Sequence, residues 1–206
     1  DGHVPLLREL TRDETLEKAS LPFDWLISTP HGLTGLMEEK SFFPDTPEEL
    51  CADNGRLRLR GHDILYWHVT RLASRPGHPG FADARDKFRY TSARFDKIAK
   101  TDRVIAVISN TQGNLPWVQD EWNVQVTDTS IDQAQDVRSA FETFLGRDVE
   151  MLMVSRNPLP ANASRPRLAC YHMVPQEEGW AGSGRDWAEV FKDYFSRDSL
   201  LADKAQ

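Results

Sequence analysis

Cysteine is scarce in this chain: Cys51 and Cys170 are the two thiols among 206 residues. One disulfide is the most they can form, which excludes a disulfide scaffold, and no CxxC or Cys/His finger spacing is present to hold zinc. That usage points to a reducing, cytoplasmic setting. No apolar run approaches the roughly 18 residues of a membrane span, and the opening DGHVPLLREL has no charged-then-apolar leader, so a soluble chain without a membrane partner is expected. Basic residues are outnumbered, 25 Lys and Arg against 32 Asp and Glu, giving a formal charge of −7. With its basic residues dispersed, such a chain repels phosphates on average, and nucleic acid is not an expected partner.

Chemical signatures are missing too. The absence of GxSxG, GxxxxGK[ST] and GxGxxG removes the serine nucleophile elbow, the P-loop and the dinucleotide fingerprint. With no HxH or HExxH among six histidines, no metal site and no cofactor are expected. Nor is there an internal repeat that would indicate a solenoid.

What is present is core-forming material, with 39% hydrophobic residues including six Trp, ten Phe and four Tyr. That suffices for a single domain over residues 1–206. PLLREL places Leu6, Leu7 and Leu10 on one helical face. SLPFDWLIST is aromatic-rich, and in TPHGLTGLMEEK Thr29 is an N-cap candidate with Pro30 at the first helical position. Thr46-Pro47-Glu48-Glu49 repeats that pattern and is expected to carry Leu50 and Cys51 on a short helix, before a turn at Asn54-Gly55. Arg56 to Arg60 alternates polar and apolar residues, as a short strand would.

The second half of the chain alternates helix and strand signals. Phe81, Ala84, Phe88, Phe95 and Ile98 follow a helical period and lead into VIAVIS. Ser130 and Gln133 form a capping box for a helix ended by Gly146, followed by EMLMVS. RLACYHMV is a third strand, and Trp187, Val190, Phe191, Tyr194 and Phe195 mark one side of a closing helix. Strands near 104–109, 150–155 and 167–174 with interleaved helices imply an α/β fold, with a mostly parallel central sheet flanked by helices.

Ligands of open α/β sheets bind beyond the carboxyl ends of the strands. After VIAVIS comes NTQGNLPW, where Asn110, Gln112, Asn114 and Trp117 offer amides and an indole suited to a sugar or nucleotide. His172 lies at the end of the third strand, where a lone histidine is usually structural. After the first short strand comes Gly61-His62-Asp63. An imidazole titrates near neutrality, so His62 is a candidate general base. Asp63 either orients it, if the backbone turns at the glycine, or caps a helix running through ILYWHVTRLA. His62 and Asp63 with His31 also resemble the metal-dependent phosphohydrolases named for a His-Asp motif, but those are all-helical. Of the thiols, Cys170 sits in an apolar strand and Cys51 beside Glu48, Glu49 and Asp53, neither a setting that activates sulfur.

The order LPFDWLIS, GLTGLMEEKSFF, GHD and ARFDKIAKTDRVIAVIS resembles an uncharacterised bacterial family assigned to the papain-like cysteine peptidases. The resemblance implies a hydrolase with His62 and Asp63 as the matching polar pair, and Asp24 and Trp25 as neighbours of the cleft. His62 is then the general base, and Asp63 or Asp24 its orienter. The family's nucleophilic cysteine falls at Gly2 here, and the strand before it has no counterpart. Substrates on this reading are peptides or small molecules. The rival readings are a glycan or nucleotide-sugar enzyme using Asp24, Asp63 and the Trp residues, and a binding module that keeps the fold without turnover.

Overall fold

The structure, a computed structural model, describes residues 7–9, 19–53, 56–66, 68–100, 103–110, 128–173 and 184–202. The chain divides into two compact units, Ser20–Ala106 with Asn114–Met151, and Asp1–Ala19 with Val107–Gly113 and Leu152–Gln206.

The first unit is built on a four-stranded sheet of β1 (Leu26–Ser28), β2 (Leu50–Asp53), β3 (Arg56–Leu59) and β4 (Ile64–Tyr66), in the order β1-β4-β3-β2. Every pairing is antiparallel. In the register Leu50 lies opposite Leu59 and Ala52 opposite Leu57, while Cys51 lies opposite Arg58. Alternation therefore sends Leu57 and Leu59, both buried, to one face and Arg58 to the other. The central strand β4 is buried at all three positions.

Helix α1 (Pro30–Glu38) starts where its sequence says it should. Thr29 Oγ1 accepts from the Gly32 N–H at 3.1 Å, and Pro30 occupies the first turn, where a missing N–H costs nothing. Helix α2 (Pro79–Ala99) buries Phe81, Ala84, Phe88, Thr91 and Phe95 along one stripe. Helix α3 (Ile131–Leu145) opens on the Ser130/Gln133 capping box and closes on Gly146, whose φ of 64° suits glycine. It packs along α1.

Phenylalanines join these helices. Phe23 meets Phe42, Phe95 and Phe141 with ring centroids 5.1–5.5 Å apart, and a second cluster gathers Phe43, Tyr66, Phe81 and Phe88. Edge and offset pairs of this kind add about 0.5–1.5 kcal/mol each beyond burial.

The second sheet has the order β5 (Ile105–Asn110), β6 (Glu150–Ser155) and β7 (Leu168–His172), and its strands run parallel. The boundaries between the two units fall within β5 and β6. Residues Met151 to Ser155 are all buried, as a strand of a parallel sheet requires. Helix α4 (Gly184–Ala202) buries Asp186, Trp187, Val190 and Tyr194.

Mixed helix and strand, and the three strands of the second sheet, agree with the sequence reading; the arrangement does not. One mostly parallel central sheet is replaced by an antiparallel and a parallel one. The expected helix through ILYWHVTRLA begins instead as β4, and His68 beyond it takes a positive φ of 61° that ends regular structure. A run of three buried residues fits either period, and here pairing with β1 and β3 decides. Likewise Pro47–Glu49 forms one 3-10 turn, and Leu50 and Cys51 enter β2. Asn54-Gly55 and most of the N-terminal helix lie outside the described residues.

Candidate functional site

The site is assembled by the turn from β3 to β4. Leu59 is anchored by pairing with Leu50, and the next residue, Arg60, is held twice: its N–H donates to the Glu49 carbonyl and its Nε to the Glu48 carbonyl, both at 2.8 Å. Gly61 follows with φ 75°, a left-handed conformation open to glycine at little cost. The backbone thus does turn at the glycine. The His62 N–H donates back to the Leu59 carbonyl at 3.3 Å, closing the turn.

This swings the His62 ring over α1. Its Nδ1 lies 3.7 Å from where a Cβ on Gly35 would sit, and its Nε2 lies 3.8 Å from Glu39 Oε1, an ion-pair rather than a hydrogen-bond distance. Gly35 and Glu39 are one helical turn apart and share a face. The His62 side chain keeps 30% of its surface exposed, so the ring is held yet reachable.

Asp63 points elsewhere. Its carbonyl accepts from the Thr29 N–H at 3.2 Å and its Oδ2 from Thr29 Oγ1 at 3.5 Å. It therefore braces the N-cap of α1 while His62 addresses the other end of that helix. Asp63 does not cap a helix of its own. Gly32 permits the brace, because a Cβ there would come within 2.9 Å of the Asp63 carbonyl.

Asp24 is engaged in a 3-10 turn, Pro22–Trp25, where its Oδ2 accepts from the Leu21 N–H at 2.9 Å. Trp25 donates from Nε1 to Ser20 Oγ at 3.1 Å, and the Lys87 ammonium sits 3.0 Å from its ring centroid. Burial holds that ammonium below the ordinary lysine range. One indole face is thereby taken by a cation. Gln112, Asn114, Trp117 and Gly2 lie outside the described residues, as does the side chain of Asn110.

His62 and Glu39 open onto a cleft of about 500 Å³. Asp45, Glu48 and Glu49 add carboxylates, Arg60 adds a cation, and Leu36, Phe43 and Leu59 form the apolar part of its wall. Glu49 Oε1 is partly committed, accepting from the N–H and hydroxyl of Thr46. Behind Phe43, at 5.0 Å between ring centroids, lies Tyr66. Tyr66 is 1% exposed, and its hydroxyl has no hydrogen-bond partner among the described residues. Burial, reinforced by Glu49 and Glu39, raises its pKa far beyond the ordinary phenol range.

No thiol lines this cleft among the described residues. Both cysteines are free. Cys51 follows Arg58 to the sheet face opposite Leu59, and the Cys170 thiol donates to the Ala163 carbonyl at 3.5 Å with its pKa pushed up by burial and pulled back in part by Arg165. His172 Nε2 donates to the Arg156 carbonyl at 3.1 Å, a structural role. His31 is exposed on α1, on a separate concavity between α1 and α3. Among the described residues no three His, Cys, Asp or Glu side chains are grouped to hold a metal ion.

Sequence reasoning missed Glu39. The one available signal was the spacing of Gly35 and Glu39 on a single helix face, which says nothing about a histidine arriving from a hairpin. No family model, curated protein or solved structure matches the chain.

Proposed function

We propose that this chain is a hydrolase in which His62, oriented by Glu39, is the general base of the cleft. The observation that carries this reading is the His62–Glu39 pair, 3.8 Å apart and lining a cleft of about 500 Å³. A carboxylate facing Nε2 favours the tautomer with its proton on that nitrogen and leaves the lone pair on Nδ1, over the open surface of Gly35. In that state His62 accepts a proton from an attacking water as its oxygen adds to an acyl carbon. The same proton then passes to the leaving amine or alcohol as the acyl bond breaks. Positioned proton transfer of this kind contributes about 10²–10⁴-fold in rate.

The resemblance to the papain-like peptidase family supports the choice of His62 and of peptides or small acyl compounds as substrates. In the family's scheme a thiol attacks, whereas here the reading assigns attack to water, since no thiol lines the cleft among the described residues. Asp63 and Asp24 serve as supports, and Glu39 takes the orienting role first given to them. A glycan reading gains less, because Lys87 covers one face of Trp25.

The test is hydrolysis of a peptide and ester panel by the wild-type chain, His62→Ala and Glu39→Gln. Activity that survives His62→Ala removes the proposal. The second reading, a binding module without turnover, is favoured by the same lack of a thiol, and would show ligand binding with no product from any member of the panel.

A further inference from the structure

Apart from His62, Arg60 is the one basic residue lining the cleft among the described residues. Asp45, Glu48 and Glu49 line it too, yet none of the ion pairs among the described residues includes Arg60. The side chain is held by backbone instead. Its Nε donates to the Glu48 carbonyl and its own N–H to the Glu49 carbonyl, both at 2.8 Å. A guanidinium is planar and stays charged, so fixing Nε also sets the plane in which the Nη groups lie. Those Nη groups have no partner among the described residues.

Only Gly61, in its left-handed turn, separates Arg60 from His62, and both side chains border one cleft of about 500 Å³. That volume lies within the roughly 300–1,000 Å³ of small-molecule sites.

A preset donor of this kind meets a need that a base alone leaves open. When water adds to an acyl carbon, its proton goes to His62 and the carbonyl electron pair moves onto the acyl oxygen. Donors already in place stabilise that charge most, because nothing has to reorient as it grows. Imidazolium and oxygen anion arise together, so the net charge of the cleft is unchanged by the step. A substrate carboxylate would instead add a negative charge beside Glu39, Asp45, Glu48 and Glu49, which argues against Arg60 as an anchor for acidic substrates.

We infer that Arg60 is a second catalytic residue of this cleft, its Nη groups donating to the acyl oxygen as water adds. When the electron pair returns to re-form the carbonyl, the bond to the leaving amine or alcohol breaks and His62 supplies that group's proton. As a role in hydrolysis this rests on the proposed function, but the hold on a tetrahedral oxygen anion is read by binding, independently of turnover.

The test has two arms on the intact chain. The first is kcat and KM for wild type, Arg60→Ala and Arg60→Lys on any peptide or ester that the chain hydrolyses. Arg60→Ala is expected to lose about 10²–10³-fold in kcat with little change in KM, and Arg60→Lys, which keeps the stem and the charge, to lose less. Millimolar guanidinium chloride should restore part of the loss in Arg60→Ala and none in His62→Ala, a rescue that a merely structural arginine would not show. The second arm is boron NMR and calorimetry with acetamidomethylboronic acid. This neutral trigonal acid becomes a tetrahedral anion when its boron takes up the oxygen of water and the proton passes to His62. Wild type should hold the tetrahedral form at neutral pH, and Arg60→Ala should bind the probe more weakly by at least about tenfold. An unchanged kcat in Arg60→Ala, a loss that guanidinium does not restore, equal boronate affinity in the two chains, or no boronate binding at millimolar concentration would overturn the inference. Hydrolysis abolished in His62→Ala but untouched in Arg60→Ala keeps the proposed function and removes only the role of Arg60. Arg60-dependent tetrahedral boronate with no hydrolysis of any substrate keeps the oxygen-anion site and ends the hydrolase reading.

Discussion

His62 and Glu39 face each other from two elements that the chain joins only through its fold, a hairpin turn and the C-terminal end of α1, with Nε2 and Oε1 3.8 Å apart. Gly61, with φ 75°, sets the direction of the turn, and Gly35 leaves room beneath the ring. The pair depends on two glycines as much as on its own side chains.

The glycines of α1 separate stability from activity. A Cβ on Gly32 would lie 2.7 Å from Ser28 Oγ and 2.9 Å from the Asp63 carbonyl. The serine can rotate away, but the carbonyl is backbone. Gly32→Ala should therefore destabilise by about 1–3 kcal/mol of overpacking, only partly offset by about 1 kcal/mol of helix propensity. At Gly35 the nearest atom is His62 Nδ1 at 3.7 Å, an ordinary contact. Gly35→Ala should raise stability by up to about 1 kcal/mol while crowding the basic nitrogen and lowering turnover. Urea titrations of both variants check the first pair of signs, and a rate measurement checks the last.

Tyr66 predicts a loss of stability in alkali. Its folded-state pKa is raised, so its contribution is fully present below the ordinary tyrosine value of 10.0. Above that pH the unfolded chain ionises while the folded chain keeps its proton, and stability falls. Tyr66→Phe should remove this loss and leave stability at neutral pH equal or higher, because it deletes an unsatisfied hydroxyl. Melting curves at successive pH values, wild type against variant, measure both effects.

Lys87 works in the opposite sense. Its folded-state pKa is lowered from the ordinary 10.5, so the folded chain releases its proton first and stability rises as pH climbs through the folded value toward the unfolded one. Deprotonation also removes the cation from Trp25. The Trp25 indole N–H resonance should shift with a midpoint below the ordinary lysine range, and Lys87→Met should abolish the shift. A midpoint above that range would mean that the cation–π attraction outweighs burial.

Cys170 should react slowly. Burial raises its pKa and its thiol donates to the Ala163 carbonyl, so little thiolate is present at neutral pH. Iodoacetamide labelling followed by mass spectrometry should show slower modification of Cys170 in the folded chain than after unfolding in urea.

Local signals carried the sequence reading as far as local physics reaches. Thr29-Pro30, the Ser130/Gln133 box and Gly146 mark helix ends through contacts within a few residues, and each stands where the sequence placed it. VIAVIS is a β-branched apolar run and EMLMVS and RLACYHMV are apolar runs of strand length, and each segment holds a strand, Ile105–Asn110, Glu150–Ser155 and Leu168–His172. Ile64-Leu65-Tyr66 and Leu50-Cys51 were misread because runs this short lack a period of their own, and their strand state comes from neighbours in the sheet. His62 was legible as a candidate because an imidazole after a turn-forming glycine is a local pattern. Glu39 was not, since its role arises where the end of α1 meets the β3 to β4 turn.

The central claim is that His62 acts as a base through its pairing with Glu39, and the most direct measurement is the pH dependence of kcat/KM for wild type, His62→Ala and Glu39→Gln on one hydrolysed substrate. The account predicts an acidic limb in the wild type that is absent in His62→Ala, where activity falls by about 10²–10⁴-fold. In Glu39→Gln kcat/KM should also fall, because the imidazole loses the carboxylate that orients it. Wild-type activity and an unchanged limb in His62→Ala would contradict it.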